Sequence, residues 1–186
     1  MDFLDLAKER YSVRKFSGKK VEKEKLDKIL EAGRLAPTAV NFQPQRILVL
    51  DSEENLAKLK ECTQYHFNAP LAILVCYDKT VSWKRKHDNK DEGEIDASIV
   101  TTHMMMEIAN LGLGSTWVGY FDPAAVIQAY GLPENIIPVA ILPTGYPSEE
   151  SAPSAMHGKR VDMEQTVFFN SFEGVEKFSK TEQVAH

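Results

Sequence analysis

The sequence predicts one domain in which a β-sheet is covered by helices. Three observations carry this. A chain of 186 residues with 43% apolar and 26% charged content can bury a substantial core and matches a globular protein rather than a disordered one. Short apolar runs recur at 46–50, 71–77 and 137–142. Between them the apolar spacing changes to the helical period, most clearly at 22–36 and 94–111. No internal repeat or low-complexity tract divides the chain. Residues 1–186 are therefore read as a single domain, with 148–186 as an extended C-terminal arm.

Taken in order, Phe3, Leu6, Ala7 and Arg10 fall at helical spacing over 2–10, and Ser17-Gly18 breaks the chain after them. Over 22–36, Leu26, Ile29, Leu30 and Gly33 share one helix face. Pro37 ends that helix, because the residue before a proline is pushed out of helical geometry. Residues 46–50 read as a buried strand, 53–62 as a helix carrying Leu56 and Leu59, and 71–77 as the strongest strand in the chain. Residues 78–94 are highly charged, with Trp83 alone among them, and read as a mobile excursion. The helix over 94–111 places Ile95, Ser98, Ile99, Thr102, Met105, Met106 and Ala109 on one stripe, while Met104, Leu111 and Leu113 add apolar surface beyond it. Such a helix is buried either between two copies of the chain or inside one core, and the pattern leaves both open. Gly112 caps its end. Residues 115–119 read as a short strand in which Gly119 permits close backbone approach. Asp122-Pro123 opens a helix to Tyr130, stopped by Gly131 and Pro133. Residues 137–142 form a strand, and 143–147 leave it. The arm then carries Lys159-Arg160 and an apolar, strand-like piece at 166–169, with a polar helix or frayed tail at the end.

Two stretches offer chemistry. In Arg10-Tyr11-Ser12-Val13-Arg14-Lys15-Phe16, an extended backbone would put Arg10, Ser12 and Arg14 on one face. Two guanidinium forks and a hydroxyl suit a phosphate, or else form a solvated basic edge. From Lys8 to Lys28 there are nine Lys/Arg against four Asp/Glu, an excess of +5 on a chain of net charge -5. The second stretch, 36–44, carries amide and hydroxyl groups between two prolines. It fits either recognition of a heterocycle edge or a plain helix-to-strand connection.

Other chemistries are excluded or weak. The acidic balance argues against nucleic acid. No apolar run approaches the ~18 residues of a membrane span, and the acidic start lacks signal-peptide character. Two cysteines, Cys62 and Cys76, without a CxxC point to a reduced, cytoplasmic setting and no disulfide. Gly112-Leu113-Gly114 lacks the third glycine of a dinucleotide fingerprint, and there is no GK[ST] loop, GxSxG or HExxH. Cys62 and His66 lie four apart, but two ligands make no metal site, and His103 reads as a packed or interface residue. With no nucleophile–base pair either, the reactive group is expected to belong to a bound cofactor.

Four motifs in this order resemble the FMN-dependent nitroreductase family over almost the full chain. They are Arg10-Tyr11-Ser12-Val13-Arg14, the loop 36–44, residues 111–119, and Gly145-Tyr146-Pro147 with Lys159-Arg160 downstream. The resemblance implies an α+β fold: a central mixed, mainly antiparallel sheet flanked by helices, with the C-terminal strand exchanged in a homodimer. It implies that Arg10, Tyr11, Ser12 and Arg14, with Lys159 or Arg160, hold the FMN phosphate and ribityl chain. Pro37, Thr38, Ala39 and Asn41 would come from the other subunit. Val118 and Gly119 would lie beside the isoalloxazine, the Gly119 N–H near N5. The implied chemistry is a ping-pong exchange, hydride passing from NAD(P)H through flavin N5 to a small electron-poor acceptor such as a nitroaromatic, quinone or enone. No side chain is required as acid or base. A relative acting on one metabolite or on flavin itself, or a flavin-binding protein without turnover, are the alternatives. Gln45 replaces a frequent aromatic of the family and Gly119 an occasional acid near N5. Both departures bear on substrate preference. Trp83 and 78–94 either shape the acceptor side or form a plain surface loop.

Overall fold

The computed structural model describes residues 2–172. The chain divides into two units, one ending at Ser154 and one beginning at Ala155. The first contains helices α1 (Phe3–Glu9), α2 (Lys23–Arg34), α3 (Glu53–Cys62), α4 (Gly93–Asn110) and α5 (Pro123–Tyr130). Its strands are β1 (Gln45–Leu50), β2 (Leu71–Asp78), β3 (Gly114–Ser115) and β4 (Ile136–Gly145). They form one sheet in the order β1-β2-β4-β3, with antiparallel ladders throughout. The parallel component is a single bridge between Ser12 and Ser115.

β2 explains why its sequence is a continuous apolar run. Its side chains alternate between two cores. Ile73 and Val75 pack with Ile29, Val100, Met104, Ile108 and Leu142 under α2 and α4. Ala72, Leu74 and Cys76 pack with Leu50, Leu59, Val126 and Ile141 under α3 and α5. A strand covered on both faces has no polar side to show. Its partner β4 continues to Gly145, three residues beyond the expected strand. It accommodates Pro138 where the ladder register shifts between Val75 and Cys76, as a proline in a sheet requires. Both cysteines are buried free thiols, and burial pushes Cys76 up to about 12.

The turn chemistry behaves as its residues dictate. Asp122 Oδ1 accepts from the Ala124 and Ala125 N–H groups at 2.9 and 3.2 Å. Past α4, Leu113 N–H bonds Ile108 C=O and Gly112 N–H bonds Ala109 C=O, both at 3.0 Å. Gly112 takes φ +72, the left-handed cap that lets both bonds form. Lys25 Nζ adds a bond to the Leu111 carbonyl at 2.8 Å, a cation at a helix C-terminus.

In three places the structure adds to what the pattern leaves open. The stripe named for α4 lies largely away from the core, with Ile99 and Met105 packed against it from the edge. The core face holds Ala97, Val100, Thr101, Met104 and Ile108, while Ile95 is 44% exposed. Both stripes are apolar, so periodicity alone cannot orient the helix. Between the end of β2 and the start of α4, the stretch read as a mobile excursion folds back on itself as an ion-paired hairpin. Lys84 and Asp91 bridge antiparallel, Arg85 N–H bonds Lys90 C=O at 2.9 Å, and Arg85 pairs with Asp88 and Glu92. Its alternating charges satisfy one another across the turn. In the second unit, 166–169 is not a strand. A turn at Met163–Gln165 continues through Thr166 and Val167, whose N–H groups both bond Met163 C=O. A strand needs a neighbouring ladder, and these bonds are local. The expected tail beyond 172 lies outside the described residues.

A Cβ on Gly114 would sit 2.4 Å from Val13 Cγ2, so overpacking should make Gly114→Ala cost about 1–3 kcal/mol in urea unfolding. The double variant with Val13→Ala should recover part of it. Asp78 caps the end of β2. Hydrogen bonds from Thr80 and Asn135 lower its carboxyl from 3.8 to about 2. A depressed folded pKa adds stability that is complete above about pH 4 and lost as pH falls through about 2. Asp78→Asn should therefore flatten the acid limb of a stability–pH profile in that window.

Candidate functional site

Residues 10–16 run beside the sheet rather than in it. Arg10 ends α1 with φ -58 and ψ 125, so the chain leaves the helix extended. Val13 N–H then bonds Ser115 C=O at 3.0 Å, and Phe16 bridges Pro147. Val13 is 1% exposed and packs on Gly114, whereas Arg14 lies at the surface. That is the alternation an extended segment requires. Arg14 Nη1 donates to Ser12 C=O at 3.3 Å, folding the guanidinium back along its own strand. Tyr11 shares a hydrogen bond with Ser151 at 3.1 Å.

The Ser12–Ser115 bridge brings this segment alongside 115–119. Ser115 and Thr116 are buried, and Val118 exchanges both backbone bonds with Ile141 at 2.9 and 3.0 Å. Gly119 follows, exposed, with nothing within 4 Å of the position a Cβ would take. The next turn is tied to the end of α3. Thr63 Oγ1 donates to Tyr120 C=O at 2.7 Å, and the Tyr65 and Tyr120 rings meet edge-on at 5.7 Å. Near Arg14 an open groove of about 830 Å³ is lined by Arg14, Phe16, Phe67, Asn68, Ser148 and Glu149.

The structure thus lays Ser12 and Val13 alongside Ser115, a few residues before Val118 and Gly119, while Arg10 and Tyr11 line a cavity at the end of α4 and Arg14 lines a separate groove. The expected loop residues stand elsewhere in the same chain. Pro37, Thr38, Ala39 and Asn41 belong to a turn pinned to the start of α4, where Ala39 N–H bonds Asp96 Oδ1 at 2.8 Å. Residues 10–13 instead meet the end of α4, where Leu6, Arg10, Tyr11, Ala109, Gly112 and Leu113 line a cavity of about 190 Å³. Asp96 and Ala109 are about 20 Å apart along the helix axis at 1.5 Å per residue. Lys159 and Arg160 lie exposed in the second unit, where Arg160 Nη1 donates to the His157 and Lys159 carbonyls at 2.6 and 2.8 Å.

Two groups escaped the sequence reading. Asn68, with Phe67 before it, adopts a left-handed backbone (φ 49 and 52), which turns this pair toward the Arg14 groove. The Asn-Ala-Pro run was its only signal, and it reads as an ordinary turn. Asp96 is 2% exposed, its carboxyl raised by burial against the opposing Ala39 bond. In sequence it is one more acid in a helix's first turn.

A sequence model described as the nitroreductase family matches residues 7–65 and 60–146. A protein of Methanothermobacter thermautotrophicus, provisionally named NADH dehydrogenase/NAD(P)H nitroreductase, is 32% identical over 80% of this chain and 79% of its own. A nitroreductase family protein from Clostridium difficile superposes with TM-score 0.87 at 45% identity, covering 92% of this chain and 99% of that one. A second C. difficile structure, titled FMN-dependent nitroreductase, gives TM-score 0.76 at 30% identity over 91% and 99%. With the match spanning both the basic segment and the 115–119 edge, the chain belongs to the nitroreductase family.

Proposed function

We propose that this chain is an NAD(P)H-dependent FMN oxidoreductase that works as a homodimer, each site shared by two copies. The observation that carries the reading is the seam between residues 12–13 and Ser115. It lays the segment that carries Arg10, Ser12 and Arg14 along the strand that leads to Gly119, where a Cβ would meet nothing, and this supports the reading. These residues fit the cofactor: cationic forks for a phosphate at one end, and open backbone for a flat ring at the other. Relatives named FMN reductase and FMN-dependent nitroreductase support the same group.

In this reading Arg10, Ser12 and Arg14 hold the phosphate and ribityl chain, with Lys159 or Arg160 adding positive charge. Asn68 offers an amide to the ring edge from across the groove. Val118 lines the ring, and the Gly119 N–H is directed at N5. When bound, FMN supplies the redox chemistry, taking a hydride from NAD(P)H and delivering it to a small electron-poor acceptor. The chain's residues orient the ring, place positive charge near it and leave one face open, so that reductant and acceptor use that face in turn. Tyr120, 74% exposed, stands next to Gly119 at that opening.

The second copy follows from distance. The 37–41 loop and the basic segment sit at opposite ends of α4. In a dimer whose two-fold axis crosses α4, the two helices run in opposite senses where they meet, which would bring the loop end of one to the basic end of the other. The outer face of α4 is suited to this. Ile95, Ser98, Ile99, Thr102 and His103 line an open groove of about 420 Å³. In this reading the C-terminal arm is exchanged between the two copies.

Purified protein should be yellow, and anaerobic NADH or NADPH should bleach it. Protein that takes up no added FMN would overturn the reading, and flavin that binds without bleaching would reduce it to a binding protein. Ser12→Ala and Arg14→Ala should each raise the FMN Kd roughly tenfold or more, the loss of a hydrogen bond to a charged group, measured by fluorescence titration of apoprotein. Ile95 is exposed in a single copy, so Ile95→Glu should spare the fold yet yield a colourless monomer in sedimentation. A yellow monomer would sink the shared-site reading.

A further inference from the structure

The loop between α2 and β1 holds an unusual backbone. Val40, Asn41 and Gln43 take φ of 46, 59 and 52. None is glycine, and Val40 is β-branched, for which the left-handed region is a true outlier. Residues held this way cost about 1–3 kcal/mol each unless their surroundings impose the conformation. Besides the turn bonds from Asn41 N–H to Thr38 C=O and from Phe42 N–H to Ala39 C=O, two bonds from backbone N–H groups to side chains hold it here. Gln43 N–H bonds Thr38 Oγ1 at 3.0 Å, and Ala39 N–H bonds Asp96 Oδ1 at 2.8 Å. The first is internal to the loop. The second is the anchor to the body of the protein.

That anchor is firmly seated. α4 begins against β2, where a Cβ on Gly93 would overlap the Tyr77 ring at 2.1 Å, so the first turn of the helix lies flat on that ring. Gln45 is the register partner of Tyr77, so its side chain is on the same face of the sheet. Two buried atoms in this region lack a partner among the described residues, Gln45 Oε1 and Asp96 Oδ2. A half-satisfied buried carboxyl is a poor way to stabilise a fold. Asp96 is therefore not explained by packing. Its one bond goes to the strained loop.

We propose that Asp96 is a positioning residue, which acts on bound FMN through the Ala39 N–H by holding the 37–41 loop in its left-handed, ligand-ready shape. The proposal rests on the reading that this loop contacts the flavin of a second copy. Asp96 itself touches no reacting atom. Its work is done before the ligand arrives, because a loop already in the bound conformation loses less freedom on binding.

The test is FMN titration of dimeric apoprotein, alongside the apoprotein Tm. Asp96→Ala should raise the FMN Kd roughly tenfold while leaving the Tm within about 5 °C. Asp96→Asn keeps an oxygen for the Ala39 N–H and should stay within roughly threefold of wild type. Adding Val40→Gly to Asp96→Ala should recover most of the affinity, because glycine adopts φ near +46 without a Cβ penalty. A residue that merely fills space would show no such recovery. If Asp96→Ala does not fold, Ala39→Pro deletes the same N–H from the loop side and should give the same loss of affinity. Wild-type affinity in Asp96→Ala, equal losses in Asp96→Asn and Asp96→Ala, or no recovery with Val40→Gly would each overturn the proposal. A wild-type chain that takes up no FMN would instead overturn the functional reading beneath it.

Discussion

One backbone hydrogen bond, Val13 N–H to Ser115 C=O, organises the site. It forms only because Gly114 has no side chain and Val13 can settle on its backbone. With Val13 buried, the alternation of an extended chain turns Arg14 outward, where its guanidinium folds back onto the Ser12 carbonyl. The same bond lays the segment along β3, next to the turn that exposes Gly119. A packing contact of one valine on one glycine therefore fixes how residues 12–13 lie along Ser115.

The sheet supplies rigidity from behind. β2 is buried on both faces and divides two cores, so neither layer can slide without disturbing the other. α4 lies on one of these layers and has an apolar face left over. Its length keeps the 37–41 loop and the basic segment about 20 Å apart. In the proposed dimer, assembly and cofactor binding would share that one geometric cause.

Much of this was legible in the chain. Proline after Ala36, the Asp122-Pro123 start and the glycine after α4 marked boundaries because each has a local steric or hydrogen-bonding reason. The order of Arg10, Ser12 and Arg14 was legible for the same reason, since a two-residue period needs no tertiary knowledge. What failed depended on distant partners. Periodicity could not say which apolar stripe of α4 met Ile73 and Val75. Charge count could not show that Arg85, Asp88 and Glu92 would close a hairpin on themselves. Apolar character at 166–169 could not guarantee a strand without a ladder beside it. Asp96 and Asn68 were silent because their significance lies in burial and backbone angle, and neither is written in residue type.

The placement of the two cysteines has a further bearing on durability. Thiolates are the groups that electrophiles alkylate first. Cys76 sits at the centre of the sheet, 2% exposed, with its thiol held near 12. Cys62 is 3% exposed and shifted upward as well, chiefly by burial. Both remain protonated and shielded at neutral pH, so neither offers a ready nucleophile to electrophiles in solution, and the fold is spared the slow covalent damage that a surface thiol would invite.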